Sequence, residues 1–349
     1  MSRTIKEALV RNVDDEKTEV SLHEVPMPTP GDNEVLIKVV VSGTNPKDWK
    51  IPYWIQDLNP SNSGDDIAGI VESVGKDVTE FKPGDRVAAF HEMNKPHGSF
   101  AEYAIAHPHT TFHLPPATSF EEAATIPLAA MTAVIGLYAR LGLPEPWRKS
   151  HPNPDAANGV IIYGGATAVG GFALKLLKKV DFHPVYVVAG RATDFAKGLI
   201  DPSKGDKIFD YRDGDDALVQ QLKEAFGDKK PKLALDAVSE KGSFNNIFKV
   251  LDPQGHVTTV LPTKDHQDKP DSLKVTFTMV GEAHGAEREL GTAWYKLFGL
   301  GLREGWFSGH PAEVVPGGLT GLDKALNDLR HGKASAVKYV VRIAETPGL

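Results

Sequence analysis

The sequence predicts an α/β protein in which a doubly wound parallel sheet is joined to a β-rich region. Three observations predict it. Residues 130–283 alternate short apolar strands with helical stretches, the rhythm of a parallel sheet covered on both faces. Residues 5–120 are instead dense in short strands punctuated by turn signals. The length, 349 residues, also exceeds what one hydrophobic core usually serves, so two domains are expected.

In chain order, residues 35–41 form a run rich in β-branched side chains between Gly31-Asp32 and Ser42-Gly43, a strand bounded by turns. Residues 67–74 and 86–90 are similar, with Pro83-Gly84-Asp85 as the turn between them. Strands are expected at 160–163, 184–188, 232–235, 256–261 and 275–280. Between the first two of these, residues 169–179 carry Val169, Phe172, Ala173, Leu176 and Leu177 at helical spacing. The remaining segment predicts an apolar helix over 290–300, a glycine-rich loop, a helix near 322–329 and a last strand at 338–343.

Composition narrows the function. The charge is -7, from 39 basic and 46 acidic residues, with no basic stripe, which argues against nucleic acid as a partner. There is no cysteine, so disulfides, thiolate catalysis and cysteine-held zinc are excluded. The first residues lack the apolar core of a signal peptide. The longest uncharged stretch, 123–139, is shorter than a membrane span needs and reads as a buried helix. The expectation is therefore a cytoplasmic protein with no nucleic-acid or membrane partner; a small-molecule substrate and a monomer or homodimer are further expectations that composition does not supply.

The most informative segment is the strand at 160–163 followed by Gly164-Gly165-Ala166-Thr167-Ala168-Val169-Gly170-Gly171. A strand, a glycine-rich turn and a helix start together favour a pyrophosphate, because free backbone amides and the helix dipole converge there. Gly165 is expected to make the tight turn, and Gly170 to let the helix approach the strand. Thr167 replaces the middle glycine, and its hydroxyl can donate to a phosphate oxygen. The second strand ends Val187-Val188-Ala189-Gly190-Arg191, without the acid that binds the ribose hydroxyls in NAD sites. A guanidinium at Arg191 suits a 2′-phosphate, which points to NADPH. The alternative is that Arg191 is a solvated surface cation.

Several further motifs, in order, resemble the medium-chain dehydrogenase/reductase superfamily in its zinc-independent quinone and enoyl reductase branch. They are Gly31-Asp32-Asn33-Glu34-Val35, Asn45-Pro46-Lys47-Asp48-Trp49-Lys50, Gly64-Asp65-Asp66-Ile67-Ala68-Gly69, Phe81-Lys82-Pro83-Gly84-Asp85-Arg86-Val87, Gly98-Ser99-Phe100-Ala101-Glu102-Tyr103 and Ala123-Ala124-Thr125-Ile126-Pro127. The second of these, with the glycine turn, is similar to fungal trans-acting enoyl reductases and yeast aldehyde reductases. The resemblance implies a Rossmann domain at 130–283 and a GroES-like catalytic domain split between 1–129 and 284–349. It implies hydride transfer from NADPH to an activated C=C or C=O: an enoyl, enone, quinone or aldehyde. Two alternatives are a module acting in trans on a synthase-bound chain and a non-catalytic crystallin-like NADPH binder.

By the same resemblance, Thr44 stands where zinc-dependent members keep a cysteine and Asp65 where they keep a histidine, so no metal is expected. Asn45, Lys50 and Thr132 are implied as catalytic residues near the nicotinamide, with Lys50 on an exposed cleft wall. A capped turn and a self-bonded helix threonine are the alternatives for Asn45 and Thr132. The cofactor set is Gly165, Ala166, Thr167, Ala168, Val169, Gly190, Arg191, Tyr211, Leu261 and Val280. Tyr211 resembles a family tyrosine beside the adenosine phosphate, and packing alone is its alternative. For the proton, Lys50, Tyr53 or ordered water would serve. His107, His109 and His113, with His91 and His97 upstream, read as a surface strand face rather than a metal site. No Gly-x-Ser-x-Gly elbow is present, and the basic stretch Asp228-Lys229-Lys230-Pro231-Lys232 reads as a solvated loop.

Overall fold

The computed structural model describes residues 3–147, 153–262 and 269–349. The chain divides into two compact units: one runs to Met131 and resumes at Gly281–Leu349, the other is Thr132–Val280.

The first unit opens with β1 (Thr4–Asn12) and β2 (Thr18–Pro26), paired as an antiparallel hairpin. There follow β3 (Val35–Gly43), α1 (Pro46–Trp54), β4 (Asp66–Val74), β5 (Arg86–Phe90), β6 (Tyr103–Ala106) and β7 (Thr111–His113). Short α2 (Phe120–Ala123) precedes α3 (Pro127–Val134), which runs into a π-helical turn over Ile135–Arg140. The second unit holds β8 (Val160–Tyr163), α4 (Ala168–Lys179), β9 (Val185–Ala189), α5 (Thr193–Lys197), β10 (Lys207–Asp210), α6 (Asp215–Phe226), β11 (Leu233–Asp236), α7 (Ser243–Val250), β12 (His256–Thr259) and β13 (Lys274–Phe277). The chain returns to the first unit with α8 (Arg288–Glu304), β14 (Ala312–Val314), α9 (Leu322–Arg330) and β15 (Lys338–Arg342).

In the first unit the strands lie in the order β14-β15-β3-β4-β5-β7, with β6 also paired to β3. β15 joins antiparallel to β3 through Val340 opposite Gly43. The sheet therefore needs a strand from each end of the sequence. Its core gathers Ile37, Ile67 and Phe100 with Leu322, Leu326 and Val341, so the returning segment supplies apolar volume as well as backbone pairing.

In the second unit all six strands are parallel, in the order β10-β9-β8-β11-β12-β13. The order reverses between β8 and β11, and ligands of such sheets bind outside the carboxyl ends of the strands at that reversal. β8 and β11 are buried throughout, as strands covered on both faces must be. α4 packs Phe172, Ala173, Leu176 and Leu177 inward, but Val169 is only half-buried.

Two expectations change here. Strands β12 and β13 end at Thr259 and Phe277, short of the expected 261 and 280. Leu261 and Val280 therefore stand in the segments beyond the strand ends. The apolar stretch Phe120–Arg140 has 21 residues, long enough to cross a membrane, but 89% of its most apolar window is buried inside the protein. Burial, not shortness, gives it the reading of a core helix.

His256, on β12, has its ring Nε2 2.8 Å from the Thr276 hydroxyl. Burial, with Lys274 and Arg140 nearby, depresses its pKa from 6.5 to about 4. Below 6.5 the unfolded chain takes a proton that the folded ring refuses. The stability it contributes is present above about 6.5 and lost as pH falls through about 4. A shift of that size bounds the loss at about 3 kcal/mol, and partial exposure reduces it to about 1–2 kcal/mol. We expect thermal melts of His256→Gln between pH 7 and 4 to fall less steeply than those of the parent chain.

Candidate functional site

The residues expected to hold the nucleotide gather at the carboxyl end of the parallel sheet. The left-handed turn is made by Gly164, with φ +86°, not by Gly165. A Cβ on Gly164 would lie 2.6 Å from Val238, across the β8–β11 reversal. Gly165 is needed for close approach instead: a Cβ there would meet Val187 at 2.2 Å. Gly170 does what the sequence predicts, since a Cβ would meet the Gly164 carbonyl oxygen at 2.2 Å. Both Gly164 and Gly165 donate their amides to Val188 O at 2.9 Å, which pins the turn to the end of β9.

Thr167 caps α4, its Oγ1 accepting from the Gly170 amide at 3.0 Å. A hydroxyl that accepts this bond keeps its own hydrogen, so capping and donation to a phosphate are compatible. Ala168 opens α4, and Ala166 to Val169 are half-buried. The backbone cradle, with no room for any Cβ at three positions, fits a pyrophosphate at the helix start.

One strand over, Gly190 lies against the Tyr211 ring, whose Cε1 would be 2.5 Å from a Cβ on Gly190. Arg191 follows at an exposed position. The structure thus brings Gly190, Arg191 and Tyr211 together at the ends of β9 and β10. Arg212 is held by the Asp210 carboxylate through Nε and Nη2. Leu261 is tied to the end of β12, its carbonyl accepting from Thr259 Oγ1 at 3.0 Å, and Val280 is buried. Thr132 is buried within α3.

Sequence reasoning missed the loop after β11. Asp236 accepts from the Val238 and Ser239 amides at 3.0 and 2.8 Å and from Ser243 Oγ at 2.6 Å. Burial pushes its carboxyl up. Ser239, with φ +56°, accepts from the Val260 amide at 2.9 Å, so one side chain joins the ends of β11 and β12. An acid closing an apolar strand was the available signal.

In the first unit, Asn45 precedes α1 and its amide nitrogen donates to Asp48 Oδ2 at 2.7 Å. Its side chain is committed elsewhere. Nδ2 donates to Asp66 Oδ2 at 2.7 Å, and Oδ1 accepts from Lys338 Nζ at 2.9 Å. Asp66 also accepts from the Leu128 amide at 2.7 Å and pairs with Lys338. Asn45 therefore positions α1 against β4 and β15.

Lys50 is only 3% exposed, so the expectation of an exposed cleft lysine is corrected. Its ammonium lies 5.2 Å from the Trp49 ring centroid and 5.8 Å from that of Trp54. At these distances the indoles offer the ammonium their negative faces. Tyr53 is exposed and donates to Asp15 at 3.1 Å.

Asp65, which by the resemblance was expected to replace a zinc-binding histidine, is paired with the ammonium of Lys47. Lys47 also lies 3.0 Å from Asp48. Burial pushes Asp48 up to about 7, against the pull of Lys47, and pushes Asp65 up as well. Burial opposes the Lys47 charge, but the two acids outweigh it and hold the ammonium above its ordinary pKa. Thr44 donates to Tyr339 O at 2.9 Å. A fixed lysine charge thus balances Asp65 and Asp48.

The histidines also depart from expectation. Residues 108–110 form a 3-10 turn, so His107 and His109 do not share a strand face with His113. His113 sits apart, against Phe81 with ring centroids 4.8 Å away. His107 and His109 instead stack at 5.3 Å and meet His284 at 5.6 and 5.2 Å. Burial, with neighbouring charges, lowers His109 to about 4 and His284 to about 3. His91 is occupied by the Ile105 and Lys95 carbonyls.

A six-stranded parallel sheet with a glycine cradle at its reversal, and a sheet completed from both chain ends, define a dehydrogenase/reductase of the nicotinamide-dependent type. Residues 31–116 match the alcohol dehydrogenase GroES-like domain family. Over 91% of its length the chain is 42% identical to trans-enoyl reductase fsr4 of Gibberella fujikuroi, covering 93% of that protein. It is 32% identical to trans-enoyl reductase resD of Aspergillus sclerotiorum, covering 92% of this chain and 96% of that one. A solved alcohol dehydrogenase superfamily protein from Novosphingobium aromaticivorans superposes with a TM-score of 0.77 at 20% identity, covering 97% and 99% of the two chains. The chain belongs to the zinc-independent medium-chain dehydrogenase/reductase superfamily, in the branch that holds the trans-enoyl reductases, and is an oxidoreductase.

Proposed function

We propose that the protein is an NADPH-dependent enoyl reductase that acts in trans on a carrier-bound thioester. The observation that carries this is the 42% identity, over nearly the whole chain, to a protein named as a trans-enoyl reductase. The second unit supports the cofactor half of the reading. Its cradle at Gly164, Gly165 and Gly170 would take the pyrophosphate, Thr167 would donate to it, and Arg191 beside Tyr211 would take the 2′-phosphate. The bound nicotinamide supplies a hydride.

When hydride arrives at the β-carbon of a conjugated thioester, negative charge develops on the carbonyl oxygen, and protonation at the α-carbon completes the reduction. A cation or hydrogen-bond donor at that oxygen lowers the barrier. Lys50 is the residue we assign to this role. Its burial keeps the ammonium from bulk water, where its field would be weakest. Asn45 is a positioning residue, and ordered water is the proton source that the exposed, Asp15-bound Tyr53 leaves in place.

The test is steady-state turnover with NADPH against an enoyl pantetheine thioester, an enone, a quinone and an aldehyde. We expect the thioester to be reduced with the highest kcat/KM. Turnover of quinones or aldehydes alone, or of no acceptor, overturns the proposal. For Lys50→Met we expect kcat/KM to fall by about 10- to 100-fold, about 1.4–2.8 kcal/mol of transition-state stabilisation. An oxyanion role lowers kcat with the Kd for NADPH unchanged, whereas a ribose contact raises that Kd. Because Lys50 is buried, circular dichroism melts must accompany the kinetics.

A further inference from the structure

We propose that the first unit carries a binding site for a divalent transition cation, with zinc as its natural occupant, built from Glu92, His107 and His284. One potential ligand atom from each residue lies within 4.8 Å of the others. The three come from separate places: Glu92 follows β5, His107 follows β6, and His284 stands at the start of the C-terminal part of the unit. Glu92 Oε2 and His107 Nε2 are already 3.1 Å apart, and the His284 ring meets that of His107 edge-on.

Two further observations point to a ligand. Both ring nitrogens of His284, and both of His109 beside it, are buried without a hydrogen-bond partner. An imidazole carries at least one N–H and usually one lone pair, so such rings are almost always satisfied by an acceptor, water or a metal. The residues also line a cavity of about 350 Å³, whose wall adds Asp32 and Glu34 and one opposing cation, Arg288. Asp32 is paired with Lys76 at 2.7 Å, which leaves Glu34 and Glu92 against Arg288 and keeps the cavity attractive to a cation.

The donor set selects the metal. Two imidazoles and one carboxylate suit zinc and its borderline neighbours, whereas magnesium and calcium require a shell of oxygens. His109, with its centroid 5.2 Å from that of His284, is the nearest reserve for a fourth position. None of these residues is Thr44 or Asp65, so this is not the superfamily's catalytic zinc place. The proposal runs against the expectation, drawn from sequence, that the chain holds no metal. The role the geometry points to is a structural staple between the β5 and β6 ends and the returning segment. It does not depend on the reductase reading, and its test uses no turnover.

The full chain, stripped with chelator and dialysed, is titrated with zinc by calorimetry and with cobalt by visible absorption. We expect one zinc per chain with a Kd below about 1 µM, and a cobalt spectrum without thiolate charge transfer. His284→Ala and Glu92→Gln should each weaken binding at least about tenfold, and His113→Ala should leave it unchanged. Should His284→Ala fail to fold, the near-isosteric Glu92→Gln decides. No binding tighter than about 100 µM would overturn the proposal, since built sites lie far below that value. Affinity untouched in Glu92→Gln and in any folded His284→Ala would also overturn it, placing the metal on other histidines.

Discussion

Lys338→Met is expected to destabilise the first unit by about 3–5 kcal/mol, the cost of breaking a buried ion pair from one side. Lys338 is 3% exposed and Asp66 fully buried. The ammonium is the only cation hydrogen-bonded to Asp66 among the described residues, and it also holds Asn45 Oδ1 at 2.9 Å. Methionine keeps the volume but leaves the Asp66 carboxylate with only the Asn45 side-chain amide and the Leu128 backbone amide. For a unit of this size the melting temperature should drop by about 6–20 °C. The double variant Lys338→Met/Asp66→Asn removes the stranded charge and should recover most of the loss, giving a large coupling term in the cycle. A single-variant drop under about 1 kcal/mol would mean that water or rearrangement already serves Asp66.

Arg191→Ala is expected to weaken NADPH binding by about 10- to 150-fold and leave NADH binding nearly unchanged, because a charge-assisted phosphate contact contributes about 1.5–3 kcal/mol. The local structure sharpens the assignment. Arg191 follows β9 at an exposed position beside Gly190, which lies against the Tyr211 ring. No acid ends β9 to engage ribose hydroxyls. Fluorescence titration with both cofactors is the measurement. Equal affinity of the parent chain for NADPH and NADH would remove the phosphate contact from the proposal.

What could be read from the sequence was what is local in the chain. The turn at 164–170 was legible because its strand, glycines and helix are contiguous, although the sharing of work between Gly164 and Gly165 was not. The φ of one and the neighbour of the other depend on Val238 and Val187, which no spacing rule brings near. β1 was blurred because only Ile5, Ala8 and Val10 are buried among half-exposed neighbours. The burial of Lys50 was hidden because lysine carries no signal for the inside of a protein. The histidine cluster was misread for a different reason. Glu92, His107 and His284 are joined by the return of the chain, and the 3-10 turn at 108–110 breaks the alternation assumed for His107, His109 and His113.

That return also sets an order of events during synthesis. β3 emerges early, yet its partner β15 is among the last segments made, and Asp66 waits for Lys338 over the same interval. The second unit, Thr132–Val280, has all its strands in hand long before then. A growing chain that has reached about residue 300 therefore carries a complete parallel sheet in one unit and, in the other, an antiparallel sheet that lacks β15 and holds a buried, unbalanced acid. An open edge of this kind invites pairing with other chains, which makes the unfinished first unit the aggregation-sensitive part of the nascent protein.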